Sequence, residues 1–432
     1  MLKLITICYM KINIFKCQLL LVFLMLLFHL VPAYADEGLI TDQIKVTVEK
    51  AGTLCDILSV DQKHCITNLK VNGELNIEDV KFIREMAGSY SSHGSRLDPD
   101  GNLQHLDLSD VTFVSGGSFT VYDGGGGAGE NFWLEKVNIM PDSIEGPTFA
   151  LLPNLLTIVL PSRTVKIGKE VFDMNRNLIS VTLPSGLVKI DKGAFGGCWN
   201  LTSINLPSGL KEIGDYAFSS CQNLTSIVLP PDLTEISDGM FSGAGLTSLD
   251  IPCGVTRIGY HAFSQCNGLT SVRLPDSVIE TTGFSFSFCE NLTSIVLPSS
   301  LTGMGHRDFY GCTKLTTIYA YMNVPPRYYD TRYPDFYYPF EFGSNSIMNG
   351  VRDNAVLYIP KGSSSAYSKA IDWREFKNIV EFDPTSIENI NTAKDIKKTS
   401  SYTLDGQRLD HPRRGLNIVK YSDGTVRKIL VK

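Results

Sequence analysis

The chain has 432 residues, of which 43% are apolar, 19% charged and 10% aromatic. That is enough for two or three domains with real cores, and the aromatic content argues against intrinsic disorder. The net charge of −6 lacks the basic footprint a phosphate backbone demands, so nucleic acid is excluded as a partner; a small disulfide scaffold, a collagen and a polytopic membrane protein are excluded too.

Residues 1–35 read as a secretory signal. Lys3, Lys11 and Lys16 form its positive end, Leu19 to Leu30 an apolar core broken only by His29, and Ala33-Tyr34-Ala35 a small-residue cleavage site. The apolar core falls short of the ~20 residues that span a bilayer. Cleavage would leave a net charge of −9 and eight of the ten cysteines. Export permits disulfides, and Cys55 and Cys65 are the plausible partners; whether they are bridged is left open.

Residues 36–148 are expected to form an N-terminal capping domain with irregular repeats. Ile66–Val71 and Leu103–Leu108 fit a strand-like L-x-x-L-x-L pattern, and Asn76 to Ala87 reads as an amphipathic helix with Val80, Ile83 and Met86 on one side. Gly124 to Gly127 and Gly129 make a glycine-rich loop. No G-K-[ST] follows, so a phosphate cradle is not predicted.

From residue 149 to 326 one phrase recurs. Pro161, Pro184, Pro207, Pro230, Pro252, Pro275 and Pro298 keep a beat of 22 or 23 residues, and Phe149, Phe172, Phe195, Phe218, Phe241, Phe263, Phe286 and Phe309 keep it twelve residues earlier, eleven at Phe241. Between them runs N-L-T-S-I-x-L-P, verbatim from Asn200, Asn223 and Asn291. Alternating apolar residues predict a short half-buried strand, which the proline ends because it has no N–H to give. A single unit cannot enclose its own apolar face, so eight such repeats must stack, strand on strand, into a mainly β solenoid of short parallel strands, turns and short helical segments.

Two outward columns flank the inward isoleucine. One is uniform, Thr157, Ser180, Ser203, Ser226, Ser248, Ser271, Ser294 and Thr317, and suits a structural ladder of hydroxyls. The other varies, Val159, Thr182, Asn205, Val228, Asp250, Arg273, Val296 and Tyr319, as a recognition surface or an unconstrained one would. Cys198, Cys221, Cys266, Cys289 and Cys312 each lie three residues after the repeat phenylalanine, with Ala244 in the remaining place. That spacing predicts a buried column of small side chains; no metal pair is formed.

Arg327 to Phe342 holds eight aromatics, among them Tyr328, Tyr337 and Tyr338, either packed on the last repeat or presented to a sugar or protein. A strand at Ala355–Pro360, a short helix at Ser364–Ile371 and Trp373, Phe376, Ile379 and Phe382 complete a C-terminal cap to residue 383. A linker follows to residue 400, and hairpin signals at Asp405-Gly406 and Asp423-Gly424 predict a small β module over 401–432.

The run A-F-x-x-C-x-N-L-T-S-I-x-L-P-x-x-L-x-x-I-G resembles the BspA-like leucine-rich repeat proteins exported by Bacteroides and relatives. Val46–Leu54, Phe82–Gly88, Leu106–Val111 and Val356–Gly362 look like that group's terminal segments, and Tyr402–Lys432 is similar to C-terminal secretion or sorting modules of Bacteroidetes surface proteins. The aromatic insertion and Tyr321, in place of a proline, depart from the pattern. The resemblance implies cell-surface or outer-membrane exposure and adhesion to host matrix proteins or other cells. It transfers no binding residues.

The leading expectation is a non-catalytic, adhesin-like surface protein that binds a protein or glycan ligand on host or bacterial surfaces. Its candidate contacts are Asn205, Asp250, Arg273 and Tyr319 on the repeat face, with Tyr328, Tyr337 and Tyr338 on the aromatic segment. The alternative is a glycan-binding or structural part of a nutrient-capture system. No cofactor or metal is predicted, and no H-E-x-x-H, G-x-S-x-G, Walker loop or C-x-x-C supports an enzyme. His261 and His306 fall at variable repeat positions, where a lone polar side chain is usually solvated.

Overall fold

The structure, a computed structural model, describes residues 38–89, 101–115, 119–122, 134–328, 351, 353–370, 373–384, 398–402, 408–409, 415–421 and 426–431. It is a parallel β-solenoid of about 12 turns with little helix. Each coil puts its L-x-x-I strand on a first wall, returns through a two-residue strand on a second, and turns back through the phenylalanine.

The first wall starts ahead of the regular repeats. Ile44–Val48, Asn68–Leu75, His105–Phe113, Thr157–Val159, Ser180–Thr182 and Ser203–Ile204 pair in parallel in that order. Ile44, Leu69, Leu106, Ile158, Val181 and Ile204 share one register, and all but Ile44 are buried. The wall resumes at Ser271–Arg273 and continues through Ser294–Leu297, Thr317–Ala320, Val356–Pro360 and Asn378–Phe382. Strands are missing from the units of Ile227 and Leu249. There Pro230-Pro231 withholds two donors, and the next coil is one residue short at its corner, where Gly245 N–H reaches Cys221 C=O at 3.1 Å.

The second wall is built from Lys166–Ile167, Lys189–Ile190 and Glu212–Ile213, then from Glu235–Ile236, Arg257–Ile258, Glu280–Thr281, Gly303–Met304 and Arg327–Tyr328. Its outward side chains pair along the axis. Lys189 meets Glu212 at 2.8 Å, and Arg257 lies between Glu235 at 3.3 Å and Glu280 at 3.7 Å. Exposed pairs of this kind contribute little stability each, about 0–1 kcal/mol.

Between the walls the repeat phenylalanines form one continuous stack. Neighbouring rings lie 5.1–5.9 Å apart and within 14° of parallel from Phe149 to Phe309, and every ring is essentially inaccessible to water. The cysteine column is buried and hydrogen-bonded as well. Cys198, Cys221, Cys266, Cys289 and Cys312 each donate through Sγ to the carbonyl of a repeat phenylalanine in the preceding coil, at 3.0–3.3 Å. Asn175 serves the first such carbonyl, that of Phe149, through Nδ2. Burial pushes the thiols up, Cys266 and Cys312 to about 12, so they stay protonated donors. Cys55 and Cys65 are both free thiols, the former exposed.

A third row of hydrogen bonds closes the coil. In the units from Phe172 to Phe286 the phenylalanine and the residues two before and two after it donate N–H to the next coil, as when Glu170, Phe172 and Met174 reach Lys192, Ala194 and Gly196 at 2.8–3.0 Å. The two flanking residues adopt positive φ to do so. Glycine does this without penalty at Gly193, Gly197, Gly239 and Gly243, but Leu151, Glu170, Met174, Tyr216, Ser220, His261, Gln265, Phe284, Phe288 and Arg307 do it with side chains. For such residues the left-handed conformation costs about 1–2 kcal/mol each.

Ahead of the repeats, helix Ile77–Met86 is capped by Asn76 and Asp79. The buried Asp79 carboxylate accepts from the N–H groups of Gly52, Leu54 and Asn76 at 2.6–2.9 Å, tying the preceding loop to the helix start. Strands 398–402, 408–409, 415–421 and 426–431 form a separate antiparallel sheet.

Near the end of the repeats a carboxylate sits in the core. Asp308 takes the place that Ala194, Ala217 and Ala262 fill in other coils, and it accepts from Thr281 Oγ1, Ser285 N–H and Gly305 N–H. Burial outweighs these bonds and pushes its pKa from 3.8 up to about 6. A folded pKa above the unfolded one means that the favourable contribution is complete below pH ~4 and lost as pH rises through ~6, by about 3 kcal/mol. Urea unfolding of the parent and of Asp308→Ala at pH 4 and pH 7 should show the stability gap between the two chains narrowing at pH 7. A pH-independent gap contradicts the assignment.

Candidate functional site

The varying column of the first wall faces solvent. Thr182, Asn205, Asp250 and Arg273 are exposed, Val228 is 84% exposed, and Val159, Val296 and Tyr319 are half-buried. The neighbouring hydroxyl column is half-buried to exposed. Around it, Thr202, Thr247, Thr293 and Thr316 donate through Oγ1 to carbonyls one coil back at 2.9–3.4 Å. Asn223 Nδ2 reaches Asn200 Oδ1 at 2.9 Å, and Asn200 in turn reaches Asn177 at 3.3 Å. The asparagine and threonine that recur in N-L-T-S-I therefore hold coils together.

The column changes chemistry along the axis. Its first members are ionic: Lys70 Nζ meets Asp107 at 3.2 Å and Asp110 at 2.7 Å. Its middle is polar or isolated-apolar, with Asn205, Val228, Asp250 and Arg273. Towards its end it turns aromatic, before Val380 closes the column. Tyr319 stacks on Tyr358 at 4.6 Å and 17°, with Phe382 edge-on at 6.0 Å to Tyr319 and 5.3 Å to Tyr321. Burial, then the neighbouring phenols of Tyr358 and Tyr321, push the Tyr319 hydroxyl above its usual range.

Arg273 and Tyr319 share one register through Val296, while Asn205 and Asp250 hold the equivalent repeat position where the ladder is interrupted. Tyr328 ends a strand paired with Gly303–Met304, and its side chain lies outside the described residues, as do Tyr337 and Tyr338. Tyr358 was missed by sequence reading because the insertion before it breaks the 23-residue beat, although it shares the register of Tyr319.

The turn wall held a second surprise. His261 and His306 are not isolated: both rings lie against Phe284, at 4.8 and 5.5 Å, and Tyr260 meets the same ring edge-on at 5.5 Å. Arg307 sits over Phe284 at 5.7 Å and over Tyr310 at 5.3 Å. Reading the sequence modulo 23 at the turn positions would have grouped them. Among the described residues, no group of three or more His, Cys, Asp or Glu could hold a metal ion, and no helix is long and apolar enough to cross a membrane.

Comparison with known proteins gives the repeat its family. The BspA type leucine-rich repeat region matches in six copies, over residues 142–270 and 234–325. No curated protein matches. Among solved structures, the chain is similar to a leucine-rich repeat protein from Bacteroides ovatus, at 20% identity and a TM-score of 0.40 over 61% of this chain and 75% of that one. It is similar to a leucine-rich repeat protein from T. pallidum, at 28% identity and a TM-score of 0.29 over 42% and 79%. A leucine-rich cell surface protein from Faecalibacterium prausnitzii aligns at 17% identity and a TM-score of 0.30 over 64% and 82%. Residues 142–325, which carry the stacked phenylalanines, the cysteine column and the regular part of both walls, match the BspA type leucine-rich repeat.

Proposed function

We propose that this is an exported, non-catalytic cell-surface protein that adheres to host matrix proteins or to other cells through the first wall of its solenoid. One observation carries the reading. On a scaffold whose structural letters repeat almost verbatim, the outward column through Asn205, Asp250, Arg273 and Tyr319 varies from coil to coil, with valine recurring at Val159, Val228 and Val296, and is exposed or half-buried throughout. A long rigid face of differing side chains suits recognition of an extended macromolecule by many weak contacts. Repeat proteins of this family are generally binding proteins, and the leader-like residues 1–35 support export.

The full chain should bind immobilised matrix proteins or bacterial cells, and a variant carrying Asp250→Ala, Arg273→Ala and Tyr319→Ala should bind at least tenfold more weakly. None of the three is fully buried, so folding should survive. Binding unchanged by all three substitutions removes the first wall as the site. Selective capture of a neutral polysaccharide, lost on replacing Tyr328, Tyr337 and Tyr338, would favour the nutrient-capture reading.

A further inference from the structure

We propose that the solenoid carries a hinge at the junction between the coil of residues 201–220 and the coil of residues 224–243, and that bending there changes the curvature of the first wall. The hinge does not depend on which ligand that wall takes.

Among the described residues, every other junction in the regular repeats is tied by at least two of the three rows of backbone hydrogen bonds. One coil earlier all three are present: Ser180–Thr182 pairs with Ser203–Ile204, Lys189–Ile190 pairs with Glu212–Ile213, and the turn row runs alongside. At the next junction both walls let go together. The first ladder ends at Ser203–Ile204 and the second at Glu212–Ile213. Thr202 N–H reaches Ile179 C=O at 3.1 Å and Thr247 N–H reaches Thr225 C=O at 3.0 Å, but the corresponding bond from Thr225 to Thr202 is absent among the described residues. On the second wall, Gly214 N–H reaches Ile190 C=O and Gly259 N–H reaches Ile236 C=O, both at 2.8 Å. Between them, Ser237 holds Ile213 C=O through its hydroxyl instead, at 2.6 Å. The first wall is interrupted once more before Ser271, yet there the second wall stays paired, Arg257–Ile258 to Glu280–Thr281.

The side chains follow the backbone. Glu212 and Glu235 hold the same column on either side of the junction, where like charges in line disfavour pairing. Each turns to a partner in its own half, Glu212 to Lys189 at 2.8 Å and Glu235 to Arg257 at 3.3 Å. On the first wall Val228 is 84% exposed, whereas Val159 and Val296 at the same repeat position are half-buried. Beneath it Ile204 and Ile227 are 6% and 7% exposed, against 1% for Ile158 and 0% for Ile295. The two coils lie less tightly on each other on this side.

The turn row is unbroken. The N–H groups of Tyr216, Phe218 and Ser220 reach Asp238, Met240 and Ser242 at 2.6–2.9 Å, and Asn223 N–H holds Trp199 C=O at the adjoining corner. One row bonded and two released is the geometry of a hinge, with the turn row as its axis. Each coil of a solenoid touches only its neighbours, so one loose junction is enough to let two halves, each rigid within itself, move as bodies. The bend opens the first wall at Val228, between Asn205 and Asp250, and leaves the length of the turn wall unchanged.

Double electron–electron resonance on the full chain tests this. Cys8, Cys17, Cys55, Cys65 and Cys253 are replaced by serine, and the column cysteines are buried, so only introduced thiols take nitroxide labels. Labels at Thr182→Cys and Arg273→Cys span the junction over four coils. Labels at Lys45→Cys and Thr182→Cys span four coils of continuous ladder on its N-terminal side. The distance distribution across the junction should be at least twice as wide as that of the second pair, and equal widths overturn the proposal. Hydrogen exchange on the unaltered chain reads the same junction without labels: amides of residues 225–229 should exchange at least tenfold faster than those of residues 293–297. Equal protection of the two segments overturns the hinge whether or not the serine-substituted chain folds.

Discussion

Replacing Phe218 by alanine should cost about 3–5 kcal/mol, the range for deleting a buried aromatic from a packed core. The ring has no exposed surface and is stacked on both sides, 5.4 Å from Phe195 and 5.8 Å from Phe241. In a solenoid each coil is stabilised mainly by its two neighbours, so a gap in the middle also weakens the coupling between the coils on either side. Urea unfolding should show a lower midpoint together with a shallower or split transition. Phe309→Ala, made at the last ring of the stack, has one stacked neighbour at 5.7 Å and should lower the midpoint without splitting the transition. Equal, single transitions in both variants would mean that the stack does not transmit stability along the axis.

Arg84→Ala should be nearly as damaging, at about 3 kcal/mol or more. Arg84 lies in the last turn of helix Ile77–Met86, is 5% exposed, and donates through Nη1 to the carbonyls of Pro147, Thr148 and Ala150 at 3.2, 2.9 and 2.9 Å. Burial lowers its pKa to about 10, which still leaves it charged at neutral pH. Removing it strands buried acceptors, each worth about 1–3 kcal/mol. Arg84→Met keeps most of the volume and should recover only a minor part of the loss. Hydrogen exchange should then quicken over residues 77–87 and 147–160 while the coils around Phe286 keep their protection. A methionine variant as stable as the parent would assign the site to packing alone.

Much of this molecule is legible one letter at a time. The period, the inward isoleucines, the phenylalanine stack and the burial of the cysteines all follow from residues that repeat in kind, because a stacked fold requires like to sit on like. Less legible is what depends on register without period. Asn68–Leu75 and His105–Phe113 join the same wall as the repeats although a helix and a longer excursion separate them, since pairing needs matching strands and not equal loops. Least legible is what the letters do once stacked. The Cys198 thiol looks like filler in the sequence and proves to be a hydrogen-bond donor to Phe172. His261, Phe284 and Arg307 look like drift, and only the coil-on-coil geometry brings them into contact. The first wall fared in between: the varying column was visible, but its continuation through Tyr358 was not.

The final strand, Asn378–Phe382, carries Glu381 in register with the fully buried Ile359. Its carboxylate accepts hydrogen bonds from the backbone and hydroxyl of Ser364. Any chain arriving to extend the ladder would have to strip water from that charge. End-to-end growth of the ladder is thereby discouraged along this edge.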